Sequence, residues 1–151
     1  MGRALFAVGA LLVGCFVVLG LTVFLTREED RVAVDSELAE SITRAIATAE
    51  QRGQPVDLSR LAPFGWDRVL IVAEDTSRGA ISAAIGSEFK GDLPYDAESG
   101  ELFVFVRGSA LARFADYRGL GVFDGFERPI AAVERADARF DVRDLVVRPG
   151  G

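Results

Sequence analysis

Hydrophobic positions follow three regimes along this chain, and each regime predicts a different kind of structure. Over residues 4–26 they run almost without interruption, with no charged side chain and only Gly, Thr and Cys15 breaking the Leu, Val, Phe and Ala. At 1.5 Å per residue such a run is about 34 Å long as a helix, slightly more than the roughly 30 Å hydrocarbon core of a bilayer. A helix is also the form in which one segment hides all its backbone polar groups from lipid. The pattern predicts a membrane anchor over residues 1–26, a signal-anchor helix contacting the lipid bilayer through residues 4–26. A cleavable signal peptide carries a shorter apolar stretch. Residues 27–35 mix charge with Val32 and Val34 and read as linker or as continuation of that helix.

From Asp35 the period becomes helical. Leu38, Ile42, Ala45, Ile46 and Ala49 form one apolar stripe, with Glu40 and Arg44 one turn apart on the other side. Gly53 and Pro55 end the segment. The third regime is strand-like. Residues 61–67 are a turn-rich lead-in to 68–73, where Val69, Leu70, Ile71 and Val72 stand in a row as in a strand buried on both faces. Asp75 or Thr76 can cap a short helix over 77–85 that Gly86 stops, with Ile81, Ala84 and Ile85 facing a sheet. After an acidic loop at 91–100, residues 102–106 are apolar on both faces and predict a central strand. Gly108-Ser109 suits a two-residue hairpin turn, and 110–117 returns antiparallel. Residues 118–128, with Gly119, Gly121 and Gly125, read as loop, and Pro129 as the start of a helical turn through Val133. Phe140-Asp141-Val142-Arg143 alternates strictly, as a strand with one wet face does. This order predicts an α+β domain over 36–148, a small antiparallel sheet of about four strands with helices packed on one face, and a tail at 149–151.

Charge and composition then narrow the function. The net charge is −6, and all 23 acidic residues lie beyond Thr26. That excludes nucleic acid as a partner, because phosphates demand clustered cations, and it disfavours docking on anionic lipid. There is no His, which removes the usual general base of nucleophilic triads and the imidazole metal site. Cys15, the one cysteine, has no intrachain disulfide partner. The positions of Arg3, Arg27 and Arg31 do not favour a cytoplasmic N-terminus, and the signal-like layout places the domain on the extracytoplasmic side of the cytoplasmic membrane as a single-pass protein.

Several motifs have spacings that bear on chemistry. Leu12-Val13-Gly14-Cys15 resembles the lipobox at which bacterial lipoproteins are cut before a cysteine that is then acylated, which makes Cys15 a possible lipidation site beside the uncleaved-helix reading. Ala10 and Gly14 form a small-xxx-small pair of the kind that packs helices together. Ser87-Glu88-Phe89-Lys90 has serine–lysine spacing, but Gly86 has just ended a helix where the chemistry needs one to begin. Asp92, Asp96, Glu98 and Glu101 offer oxygen ligands for Ca²⁺ without the alternation that aims them at one point. Asp124 with Glu127, or Glu74 with Asp75, are carboxylate pairs of the general acid–base kind. Gly119-Leu120-Gly121 followed by Gly125 misses the dinucleotide spacing by one residue and lacks a βαβ unit. Trp66, Phe123 and Phe126 are possible partner contacts, or else aromatics that close the core.

The residues Pro63-Phe64-x-Trp66-Asp67-x-Val69, Ile85-Gly86, Leu102-x-Val104-Phe105-Val106 and Ala136-Asp137-Ala138-x-Phe140-x-Val142 resemble a group of small, uncharacterised bacterial membrane-anchored proteins and lipoproteins. The resemblance spans residues 63–142 and departs at Glu74-Asp75-Thr76, where relatives carry a Pro-Tyr-Thr-like step. It implies export and a compact α+β domain, and it implies no activity. The expectation from sequence is therefore a membrane-anchored protein with a non-enzymatic interaction or accessory domain, an unknown envelope protein as partner, and no cofactor. The alternatives are a domain that binds a small molecule or cation, and a carboxylate-dependent hydrolase.

Overall fold

In the computed structural model, which describes residues 32–91 and 100–150, two neighbouring strands have no wet face and so dictate what surrounds them. These are β2 (Arg68–Ala73) and β3 (Glu101–Arg107), paired antiparallel with Val69 opposite Phe105 and Ile71 opposite Phe103. The 4–26 run, Cys15, residues 27–31 and most of the acidic loop (92–99) lie outside the described residues. Among the described residues no helix is long and apolar enough to cross a membrane.

β2 and β3 sit in the middle of a four-stranded antiparallel sheet, flanked by β4 (Ala110–Tyr117) and β6 (Ile130–Glu134), in the order β4-β3-β2-β6. Alternation sends Val69, Ile71, Phe103, Phe105, Ala115 and Tyr117 to one face. Leu70, Val72, Leu102, Val104, Val106 and Phe114 go to the other. The first face is covered by α1 (Ser36–Arg52) through Leu38, Ile42, Ile46 and Ala49, and by a second sheet. The second is covered by α3 (Arg78–Ile85) through Ile81 and Ile85, and by Phe89 beyond it. The expectation of helices on one face is thus corrected. An apolar run on both faces of a strand demands two covers, and the two long helices supply one each.

The expectation of a single sheet is corrected too. β1 (Val56–Asp57), β7 (Arg139–Arg143), β8 (Val146–Pro149) and β5 (Val122–Phe123) make a second, mixed sheet in the order β1-β7-β8-β5, in which β5 runs parallel to β8. Its inward residues Val56, Phe140, Val142, Val147 and Phe123 join the α1 core. β8 occupies part of the segment read as tail. β5 lies in the segment read as loop, and the segment read as a helical turn after Pro129 is β6, held by β2 with Val69 opposite Val133. A single turn α2 (Leu58–Leu61) follows β1.

Local chemistry explains the ends of these elements. Asp35 caps α1 by accepting from Leu38 N–H at 3.0 Å, and Gly53 closes it at φ +62°. α3 is capped by Ser77 rather than by Asp75 or Thr76, and Thr76 instead donates its hydroxyl to the Ala73 carbonyl at 2.6 Å. The β3–β4 hairpin turns at Gly108, whose N–H donates to the Asp67 carboxylate at 2.6 Å. The β7–β8 turn places both Asp144 and Leu145 at positive φ, +53° and +59°. Those are the dihedrals of a tight hairpin turn that favours Asn-Gly or Asp-Gly, so Leu145 is the misfit. Glu50 on α1 compensates by accepting both turn amides at 3.1 Å. Gly119 serves a different need: a Cβ there would fall 2.7 Å from Tyr117 Cε2, so the chain passes the tyrosine ring only because the side chain is absent.

These contacts generate paired expectations for chemical denaturation. Gly119→Ala should destabilise by about 1–3 kcal/mol through overpacking against Tyr117. Leu145→Gly should stabilise by about 1 kcal/mol by removing the left-handed penalty of a β-carbon. A neutral result for both would remove this account of the two turns.

Candidate functional site

The aromatics singled out from sequence are in the core. Trp66 is 2 % exposed; its indole N–H donates to the Ala62 carbonyl at 3.0 Å, and its ring meets Phe105 edge-on at 5.1 Å. Arg135 lies over the ring at 5.0 Å and donates to the Phe64 and Trp66 carbonyls. Phe123 is buried between Phe103 and Tyr117, with centroids 5.6 and 5.5 Å away. Phe126 is half-buried between Phe123 and Phe140. Trp66 and Phe123 therefore lie in the core, and Phe126 packs half-buried against it. Cys15 lies outside the described residues.

Several carboxylates, the candidates Asp124 and Glu101 among them, brace the fold. Asp124 accepts from Arg148 Nε and Nη2 at 3.0 and 2.8 Å across β5 and β8. Asp35 pairs with Arg113 at 2.8 Å, which ties the start of α1 to β4. Glu101, grouped in sequence with the acidic loop, instead heads β3 and pairs with Arg128 at 2.6 Å. Its second oxygen, Oε2, is buried with no hydrogen-bond partner. Among the described residues no three Asp, Glu, His or Cys converge as a metal site. Ser87 and Lys90 lie beyond the α3 cap at Gly86, in a segment that is not helical.

Two surface features went unread in the sequence. The first is a groove of about 440 Å³ between α1, β1 and α2, lined by Arg44, Thr48, Gln54, Asp57, Arg60 and Leu61 among others. The guanidinium groups at its rim are already engaged, Arg44 with Glu40 at 4.0 Å and Arg60 with Asp57 at 3.4 Å. The second is apolar. Leu120, just before β5, is 84 % exposed, and Val122, the outward residue of the strand whose inward residue is Phe123, is 63 % exposed. Leu145, whose carbonyl accepts from Val122 N–H at 2.8 Å, is exposed beside them. The signal was present in the alternation Leu120-Gly121-Val122-Phe123. Without knowledge of β8 nothing indicated which half of it faced inward.

Two carboxyls titrate away from their ordinary values, in opposite senses. Asp57 is held below 3.8, foremost by the hydroxyl of Ser59, with the Ser59 amide and the Arg139 and Arg60 guanidinium groups adding to the effect against burial. Glu101 is raised above 4.5 by burial, which outweighs the Arg128 hydrogen bond and charge, and nearby Glu74 pushes the same way.

Linkage fixes the signs. The lowered Asp57 contributes stability that is complete above its ordinary value and is lost as pH falls through the lowered one. The raised Glu101 binds its proton more tightly in the folded state, so stability declines as pH rises from the ordinary value through the raised one. Urea melts across the acid range should therefore show Asp57→Asn converging on wild type at the lowest pH. Glu101→Gln should gain on wild type as the medium becomes less acidic. Curves that stay parallel to wild type would contradict both assignments.

No family model matches this chain, and no curated protein or solved structure matches it either, so the likeness of its strand motifs to small membrane-anchored proteins and lipoproteins stands on those residues alone.

Proposed function

We propose that this is a single-pass membrane protein whose folded part works on the extracytoplasmic side by contact with another protein, without a reaction of its own. The membrane half of the reading is supported by the uncharged 4–26 run and by the position of the folded unit, which begins at Val32 just downstream of it. The contact part is carried by one observation: Leu120, just before β5, is 84 % exposed and Val122, on β5, is 63 % exposed. Exposed aliphatic side chains gathered at a sheet's end, here Leu120, Val122 and Leu145, are the kind of surface that another protein can cover. The partner this fits is a protein with an apolar face of its own, since the guanidinium groups nearby at Arg118 and Arg148 are spent on Asp116 and Asp124. The absence of a reaction of its own is supported by the use of acidic side chains as braces between elements, as at Asp35, Asp57, Glu50 and Asp124.

Two measurements test the halves separately. A full-length chain with a C-terminal epitope should stay in the membrane pellet after an alkaline wash, and protease added to intact cells should remove the epitope. Retention of the epitope until lysis puts the domain on the wrong side, and release by the wash removes the anchor. A photo-crosslinking side chain placed at Leu120 should give an adduct of one defined mass in membranes, and one placed at exposed Glu88 should not. Equal labelling at both positions would end the contact reading, wherever the domain resides.

A further inference from the structure

Among the described residues, no hydrogen bond closes the outer edge of β6 in the β4-β3-β2-β6 sheet. Its hydrogen-bond phase follows from two bonds: Ala73 N–H donates to the Pro129 carbonyl at 2.9 Å, and Arg135 N–H donates to the Asp67 carbonyl at 2.8 Å. Residues 129, 131, 133 and 135 therefore face β2, and Ile130, Ala132 and Glu134 turn their N–H and C=O groups away from the sheet. Among the described residues no hydrogen bond reaches these outward groups. Other edges are handled differently. At β5 the Arg128 guanidinium caps the Phe123 carbonyl at 2.8 Å, and at β4 the Asp35 N–H occupies the Phe114 carbonyl at 2.9 Å. β6, with the sequence Ile-Ala-Ala-Val-Glu, has no lysine, no proline and no bulge to discourage pairing.

We propose that β6 is the seam of a homodimer, in which it pairs antiparallel with β6 of a second copy about a two-fold axis through Ala132, joining two four-stranded sheets into one of eight. The strand is self-complementary in that register. Ile130, Ala132 and Glu134 of one copy meet Glu134, Ala132 and Ile130 of the other, so every outward N–H and C=O on both strands finds a partner. The residue on the axis is alanine, exposed and too small to obstruct its own copy. The two Glu134 residues are four positions apart across the axis, about 13 Å along the strand, and do not oppose each other. A strand from an unrelated protein would satisfy the backbone but gives no reason for this symmetry. The proposal does not rest on the membrane reading, and its test reads association rather than location.

Ala132→Cys in a Cys15→Ser background places two thiols directly opposite each other on the axis, at the roughly 5.5 Å Cα separation that a disulfide accepts. Under mild oxidation of the full-length chain, in detergent if it needs it, a covalent dimer should form at least about tenfold faster than with Ser87→Cys in the same background. Ala132→Pro removes only an amide that points outward, so the variant should keep its far-UV spectrum and sediment as a monomer where wild type sediments as a dimer. Should that variant fail to fold, Ala132→Lys does the same by setting two ammonium groups against each other on the axis. A monomeric wild type, a cross-link no faster than the Ser87→Cys control, or a dimer that persists in folded Ala132→Pro or Ala132→Lys would each overturn the seam. This holds also if a monomer is found carrying an extended segment of another protein at β6.

Discussion

The burial of β2 and β3 on both faces is the constraint from which the rest of this domain follows. A strand that reads Val-Leu-Ile-Val next to one that reads Leu-Phe-Val-Phe-Val has no side that water can face, and each fully buried aliphatic or phenyl side chain is worth roughly 1.5–3 kcal/mol relative to exposure. One cover cannot serve both faces. α3 is eight residues long and two of its side chains reach the sheet, so Phe89 completes that side, held there by Arg78 and Ser82. The other face is larger and α1 alone does not fill it. The second sheet and the ring of Phe103, Tyr117, Phe123, Phe126 and Phe140 close the remainder. A small sheet of very short strands is stable here because it is a lid on an existing core, with one side already apolar.

The same constraint explains where the arginines go. Packing two covers against a sheet leaves loop carbonyls facing inward where no ladder reaches them, and such groups need donors. The guanidinium fork suits this because one group can satisfy two carbonyls in a fixed geometry. Arg68 donates to the Ala84 and Ile85 carbonyls at the end of α3 and to Gly108 in the hairpin turn. Arg78 holds the Phe89 and Gly91 carbonyls, and Arg135 those of Phe64 and Trp66. The sixteen arginines beside a single lysine in this chain thus include several with a structural role. Lysine, a single ammonium on a flexible stem, would bridge such pairs of carbonyls less well.

Legibility from sequence divided along these lines. α1, β2, α3 and the β3–β4 hairpin were legible because each carries a period of its own and a chemically marked end: Asp35 and Gly53, Gly86, Gly108-Ser109. β1 and β5 have two residues each, too few for any period, and exist only because β7 and β8 present partners. β6 was masked by Pro129, which opens helices and edge strands alike. What decides between them is the vacant edge of β2, a fact of tertiary structure. The candidate site divided in the same way. Aromatic residue type drew attention to Trp66 and Phe123, yet burial decides what an aromatic does, and both are core. The exposed aliphatics Leu120 and Val122 carry no unusual chemistry, and only the pairing of β5 with β8 reveals which way they point.

Many of the polar groups among the described residues are spent within the fold. A reacting site needs polar groups held in place yet left uncommitted toward a substrate, which is a cost in folding that must be met elsewhere. In this domain the fixed polar groups are committed to one another: Asp57 to Ser59 and two arginines, Glu50 to the strained turn, Asp67 to the hairpin. Glu101 Oε2 is the exception, a buried oxygen without a partner, but the same carboxyl braces Arg128, which in turn caps β5. Its imperfection is the residue of that bracing, because Arg128 reaches one oxygen of the carboxyl while burial strips water from the other. Among the described residues, the aliphatic surface at Leu120 and Val122 and the outward backbone of β6 are where the proposed associations would begin.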